Sequence, residues 1–197
     1  PPSNQAGQKP EVSINYELGS RFGVGKLRGE TVFFFNDYSN LLGSDLAATG
    51  GTGTLDQFNA GEVDVNGLEL LLNYDFSNQE STIKIPFTLG YTFTNTEFKN
   101  SFGSDEDLWG EVTSGDELPY LSKHQFNIGI SLEHQKYELN FNGRFNGKFR
   151  TQAGIGSIPQ DELVNSNFVI DFSGKYFITE NFSATANIIN LSDNIYA

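Results

Sequence analysis

The chain has 197 residues, a net charge of −13, 37% hydrophobic residues and no cysteine. Without cysteine there is no disulfide framework, thiol nucleophile or cysteine zinc site, and the acidic balance argues against a nucleic-acid partner, whose phosphates require basic contacts. No stretch approaches the roughly 18 consecutive apolar residues of a membrane-crossing helix, but a membrane β-barrel carries its signal in alternation and is not excluded.

Eight segments read as strands, because successive side chains of a strand point to opposite faces. Glu11 to Arg21 sets Val12, Ile14, Tyr16 and Leu18 on one face. Glu30 to Leu42 contains Val32, Phe33, Phe34 and Phe35, where the alternation blurs. Asn59 to Phe76 carries Leu68, Leu70, Leu72, Tyr74 and Phe76 in step, and Ile83 to Phe98 carries Ile83, Ile85, Phe87, Leu89, Tyr91 and Phe93 against Lys84 and a threonine series. Tyr120 to Glu133 contributes Phe126, Ile128, Ile130 and Leu132. Lys136 to Arg150 is the clearest, with Tyr137, Leu139, Phe141, Phe145 and Phe149 facing one way and a row of charged and amide side chains facing the other. That stretch is far longer than the usual strand of about five or six residues and suits a tilted strand crossing a bilayer. Asn167 to Ile178 and Phe182 to Tyr196 complete the series, and no helical period competes.

The connections alternate in length. Short ones lie near Phe22 to Gly29, Ser77 to Thr82, His134 to Gln135 and Thr179 to Asn181; long ones run Gly43 to Phe58, Lys99 to Pro119 and Thr151 to Ser166. Outer-membrane barrels show this asymmetry, with short periplasmic turns and long extracellular loops. The predicted fold is all-β, an antiparallel up-and-down transmembrane β-barrel, with the first strand descending and the last ascending. Open sheet edges are costly in lipid, so the strands either close on themselves or form an arc of a larger barrel.

Three segments then carry a resemblance. Asn59-Ala60-Gly61-Glu62-Val63-Asp64-Val65-Asn66-Gly67-Leu68-Glu69-Leu70, Leu118-Pro119-Tyr120-Leu121-Ser122-Lys123-His124-Gln125-Phe126, and Asn187-Ile188-Ile189-Asn190-Leu191-Ser192-Asp193-Asn194-Ile195-Tyr196 resemble, in this order, recurring motifs of the C-terminal part of TonB-dependent outer-membrane receptors. Ser122 stands where that family frequently has Pro. The resemblance implies a 22-stranded barrel filled by a plug. It makes residues 1–197 about eight strands of that barrel, with the plug domain and the final strand absent. It implies import of an iron chelate across the bacterial outer membrane, energised through the plug by the TonB inner-membrane complex, with lipid and lipopolysaccharide around the wall. No cofactor, resident metal or enzymatic chemistry is implied. Arg150 to Pro159 followed by Phe168 to Asp171, together with Gly115 to Tyr120, is similar to ferric-dicitrate receptor relatives and makes ferric citrate a candidate cargo, with another ferric siderophore as the alternative.

Anionic, oxygen-rich chelates call for Arg and Lys donors. Lys148 and Arg150 fall on the polar face at the outer end of an ascending strand, with Arg144 deeper on the same face. These three, with Trp109 as a recognition aromatic, are the candidate ligand-binding residues; the competing role for the cations is pairing with neighbouring carboxylates. His124 shares the face of Phe126 and reads as an interfacial residue, and His134 as a turn residue. Ser104 to Glu117 is acidic and reads as a solvated loop, with calcium ligation as the sharper alternative. Tyr38, Tyr74, Tyr120 and Tyr196 suit interfacial aromatic girdles. Two other classes remain open at this point: a self-contained eight-stranded adhesin or structural barrel, and a soluble lectin-like or lipocalin-like binder.

Overall fold

The first hairpin turns on two residues, Gly25 and Lys26, between strands β1 (Val12–Val24) and β2 (Leu27–Ser39). Gly25 has φ of +59°, a conformation that costs glycine little. Both strands run further toward this turn than expected, because Phe22, Val24 and Leu27 continue the apolar series to its edge. The structure, a computed structural model, describes residues 9–41, 61–78, 80–103 and 111–195. The remaining long strands are β3 (Val63–Asp75), β4 (Pro86–Phe98), β7 (His124–His134), β8 (Tyr137–Asn146), β11 (Asn167–Phe177) and β12 (Ser183–Ile188). Among the described residues four two-residue strands also form: β5 (Phe102–Gly103), β6 (Glu111–Val112) and β10 (Leu163–Val164) within the long connections, and β9 (Phe149–Arg150) at the end of a stretch that alternation reads as one strand.

The eight long strands form one sheet in the order β1-β2-β3-β4-β7-β8-β11-β12, every neighbouring pair antiparallel. Among the described residues the sheet is not closed. All three long connections leave from one end and all short turns from the other, as the alternation of lengths requires.

Register sorts the side chains by face. One row crosses the whole sheet as Val24, Leu27, Tyr74, Phe87, Ile130, Phe141, Phe172 and Ile188. Every member is apolar or aromatic. The opposite face carries Arg28, Asn73, Thr88, Asn142 and Asp171 in the adjacent row. Amide and hydroxyl side chains bridge strands on this face, as in Thr88 Oγ1 to Asn73 Oδ1 at 2.8 Å and Ser131 Oγ to Asn140 Oδ1 at 2.6 Å. Where the alternation blurs, Phe33 and Phe35 belong to the apolar face, while Phe34 lies on the polar face against Gly67.

The apolar row is oblique. It starts at the short-turn end of β1 and reaches the long-loop end of β12. A stagger of constant sign is what tilted strands produce when a sheet curls toward a barrel.

Two predicted strands end well before the expected residue. The strand expected through Arg150 ends at Asn146, because Gly147 donates its N–H to the His124 carbonyl at 2.8 Å and Phe149–Arg150 then pair with Leu163–Val164. The last strand ends at Ile188. Asn190 takes φ of +55° and its side chain bonds both the N–H and the carbonyl of Asn194. Its backbone N–H donates to Asp171 Oδ1 at 2.8 Å, fastening the turn to β11. The Asn-Leu-Ser-Asp-Asn motif is therefore a local knot rather than more strand.

The most buried residues lie at the long-loop end. Leu41, Val63, Phe98, Val112 and Leu118 form a small core, with Tyr38, Val65, Phe102 and Ala153 packed against it. These residues come from, or border, all three long connections. Val63 and Phe98 are register partners on the polar face, so the loops fold over that face. Tyr38 faces the same side and joins this core, which removes it from any interfacial girdle on the apolar face. Phe98 is fully buried, and burying such a ring stabilises by several kcal/mol, about 3–5 on replacement by Ala. Phe98→Ala is therefore expected to leave the sheet assembled but make the loop between β4 and β7 readily cleaved by protease added to the folded full-length protein. Wild-type resistance would contradict the role given to this core.

Candidate functional site

The β4–β7 and β8–β11 connections are laced together. Glu117 donates its N–H to the Gly154 carbonyl at 2.9 Å, and Tyr120, at φ of +58°, donates to the Arg150 carbonyl at 2.8 Å. The Asp116 carboxylate accepts the Thr113 N–H at 2.8 Å and shapes the preceding turn. Leu118 donates its N–H to the buried Thr96 hydroxyl at 2.9 Å, which ties the loop to β4. The Asp116 carboxylate and the Glu117 backbone thus serve the loops' own architecture. Trp109 and Asp105 to Asp107 lie outside the described residues, as does Tyr196.

Between the two laced loops is a cleft of about 240 Å³, lined by Glu117, Lys123, Lys148, Arg150, Ser157 and Ile158 among others. Three cations and one carboxylate thus share the cleft, with Lys123 and Arg150 paired to Glu117. Glu117 Oε1 accepts from Lys123 Nζ at 2.6 Å. Arg150 is 3% exposed, and its guanidinium donates to the Gly156 carbonyl at 3.2 Å. Its Nε lies 3.4 Å from Glu117 Oε2, inside ion-pair range but outside hydrogen-bonding geometry, and has no other partner. A buried donor left unsatisfied is destabilising, so this Nε has unused capacity for an oxyanion. Lys148 is exposed at the cleft.

Of the sequence candidates, the fold brings Lys148 and Arg150 together here. Arg144 stands deeper on the polar face and is bonded to Asp171 Oδ2 at 3.0 Å. Sequence reasoning misses Glu117 and Lys123; the signal for them is the Glu-x-x-x-x-x-Lys spacing across Leu118 to Ser122, which is meaningful once Arg150 is folded against it.

His124 sits on the apolar face between Tyr91 and Phe93, with Tyr91 Oη 2.9 Å from its Nδ1. His134 accepts the Lys136 N–H at 3.2 Å and packs its ring against Tyr137 in a tilted pair. Both are occupied by ring and turn contacts. Among the described residues no three His, Asp or Glu side chains converge into a metal-holding group. At the upper edge of the apolar face Lys99 pairs with Asp37 and Asp64, each at 3.3 Å. Hydrogen bonding, first to Asp37 and then to Asp64, holds the Lys99 ammonium above the ordinary lysine range. There the outward surface changes from apolar to charged.

Comparison with known proteins fits this arrangement. Residues 1–191 match the family described as "TonB dependent receptor-like, beta-barrel". The ferrienterobactin receptor of Escherichia coli strain K12 is 25% identical over 194 residues, covering 94% of this chain and 24% of that protein. Among solved structures, the ferric yersiniabactin uptake receptor of Yersinia pestis superposes with a TM-score of 0.66 at 17% identity, over 94% of this chain and 26% of its own. The unliganded ferric citrate transporter superposes with a TM-score of 0.64 at 16% identity, over 93% and 27%. The chain thus spans about a quarter of the length of the proteins it matches. These relatives are receptors and transporters, not enzymes, and members of the matched family are outer-membrane β-barrel proteins.

Proposed function

Since this chain belongs to the TonB-dependent receptor β-barrel family, we propose that it forms part of the wall and outer mouth of a receptor importing an iron chelate across the bacterial outer membrane, with ferric citrate as the cargo. In this reading the apolar face meets lipid and lipopolysaccharide, the polar face lines the lumen, and the eight strands are an arc of a 22-stranded barrel. Energy coupling through a plug to the TonB complex lies outside these residues. The partners are the chelate, the membrane and that complex.

The observation that carries the cargo assignment is the cationic cleft at the long-loop end. Ferric citrate presents carboxylates, and Arg150 and Lys148 offer charge-assisted donors in a partly dry setting where such bonds are strongest. Arg144, below the mouth, and Trp109 complete the proposed set of ligand-binding residues. The sequence similarity of Arg150 to Pro159 to ferric-dicitrate receptor relatives supports the same cargo.

Titrating the detergent-purified full-length protein with ferric citrate is expected to give saturable binding. Absence of binding, alongside tight binding of a catecholate or hydroxamate chelate, would replace the cargo. Recovery of the protein from the soluble fraction without detergent would overturn the membrane reading altogether.

A further inference from the structure

We propose that Glu117 is a displaceable counter-ion that makes the cleft selective for anionic ligand arms over neutral ones. The inference rests on the reading that the cleft receives part of a chelate. At about 240 Å³ the cleft is smaller than the roughly 300–1,000 Å³ of a whole small-molecule site, so it takes one arm of the ligand rather than all of it.

The two oxygens of Glu117 are in unequal positions. Oε1 is held by Lys123 at 2.6 Å. Oε2 faces Arg150 Nε at 3.4 Å, too far and too poorly aligned for a hydrogen bond. Arg150 itself is 3% exposed and anchored by its other end to Gly156. The guanidinium is therefore anchored, and the Glu117 Oε2 that faces it is held by no hydrogen bond to it. A carboxylate arm entering the cleft bonds the free Nε and meets exposed Lys148, and Glu117 yields Oε2 while keeping Lys123. Neither acid is then left unpaired.

A neutral arm brings no charge to replace the one it pushes aside. It would leave a buried guanidinium without a carboxylate, which is strongly disfavoured. Selectivity of this kind comes from penalising the wrong ligand as much as from attracting the right one. It also predicts that Glu117 weakens the binding of anions, since each must compete with it.

The test uses calorimetric titration of the full-length protein with two probes, free citrate and ferric citrate. Glu117→Gln keeps size and a Lys123 contact while removing the charge, and is expected to tighten citrate binding about tenfold. Glu117→Asp keeps the competing charge and is expected to stay within about threefold of wild type. A residue with a merely structural role would weaken binding in both variants, so weaker or unchanged affinity in Glu117→Gln overturns the proposal. So does absence of citrate binding in every protein. Glu117→Ala is read in the same way; failure of both Gln and Ala variants to assemble would make Glu117 a folding residue and also overturn it. If wild type ignores ferric citrate while Glu117→Gln gains citrate affinity, the cargo reading fails and the role of Glu117 stands.

Discussion

Replacing Gly67 by Val is expected to prevent assembly of the sheet. A Cβ built at Gly67 collides with the Phe93 backbone carbonyl and lies 2.6 Å from the Phe34 ring. The ring has rotameric freedom. The carbonyl does not, because Phe93 belongs to the β4 ladder, where Leu68 and Phe93 are register partners. Relief requires β3 and β4 to separate at mid-strand, which breaks ladder bonds on both sides. Overpacking at a site that cannot yield destabilises by about 3 kcal/mol or more. The measurement is the heat-modifiable shift of the folded full-length barrel on a denaturing gel, with outer-membrane yield beside it. A wild-type yield of folded protein would show that the close approach of Phe34 and Phe93 is not needed. Gly90 serves as the internal control: an added Cβ there meets nothing within 4 Å, so Gly90→Ala is expected to assemble normally.

Replacing Arg150 by Met is expected to lower ferric citrate affinity at least tenfold, equivalent to about 1.4 kcal/mol, and to destabilise the folded mouth by about 2 kcal/mol. The affinity loss follows from the loss of Nε, a buried donor that lacks a hydrogen-bond partner. The stability loss is smaller than the roughly 3–5 kcal/mol of a fully buried broken pair, because Glu117 keeps Lys123 and some contact with water. Arg150→Lys is not expected to restore either property: a point ammonium cannot reach Gly156 and Glu117 together as the planar fork does. Lys148→Met, at an exposed position, is expected to change affinity by less than about fivefold. Equal affinities for wild type and Arg150→Met would remove the cleft from the ligand's route.

Most of the wall is legible in the chain because its chemistry has period 2. From Tyr137 to Asn146 the alternation of ring and polar side chain maps directly onto the two faces, and the order of neighbours follows from short turns. What alternation does not reveal is a change of partner. Phe149 and Arg150 keep the parity of β8, so nothing in the pattern marks that the chain has left β7 and β11 to pair with Leu163 and Val164. Nor does parity report loop architecture. Glu117 reads as one acid among several until folding sets it beside Arg150, thirty-three positions away. The short connection expected from Phe22 to Gly29 tightens to Gly25 and Lys26 because Phe22, Val24 and Leu27 continue the apolar face to the turn. Tyr38 has the parity of the polar face, and composition alone suggests the other side.

The shared core at the long-loop end bears on how such a mouth changes over generations. Loops ordinarily tolerate insertion and substitution one at a time, since few contacts depend on them. Here Leu41, the pair Val112 and Leu118, and Ala153 come from three different connections yet pack into one cluster. A substitution that reshapes one loop alters the packing partners of the other two. Acquisition of a new cargo therefore requires compensating replacements in several loops together, and chimaeras that exchange a single loop between relatives should inherit a disordered entrance more often than a new preference.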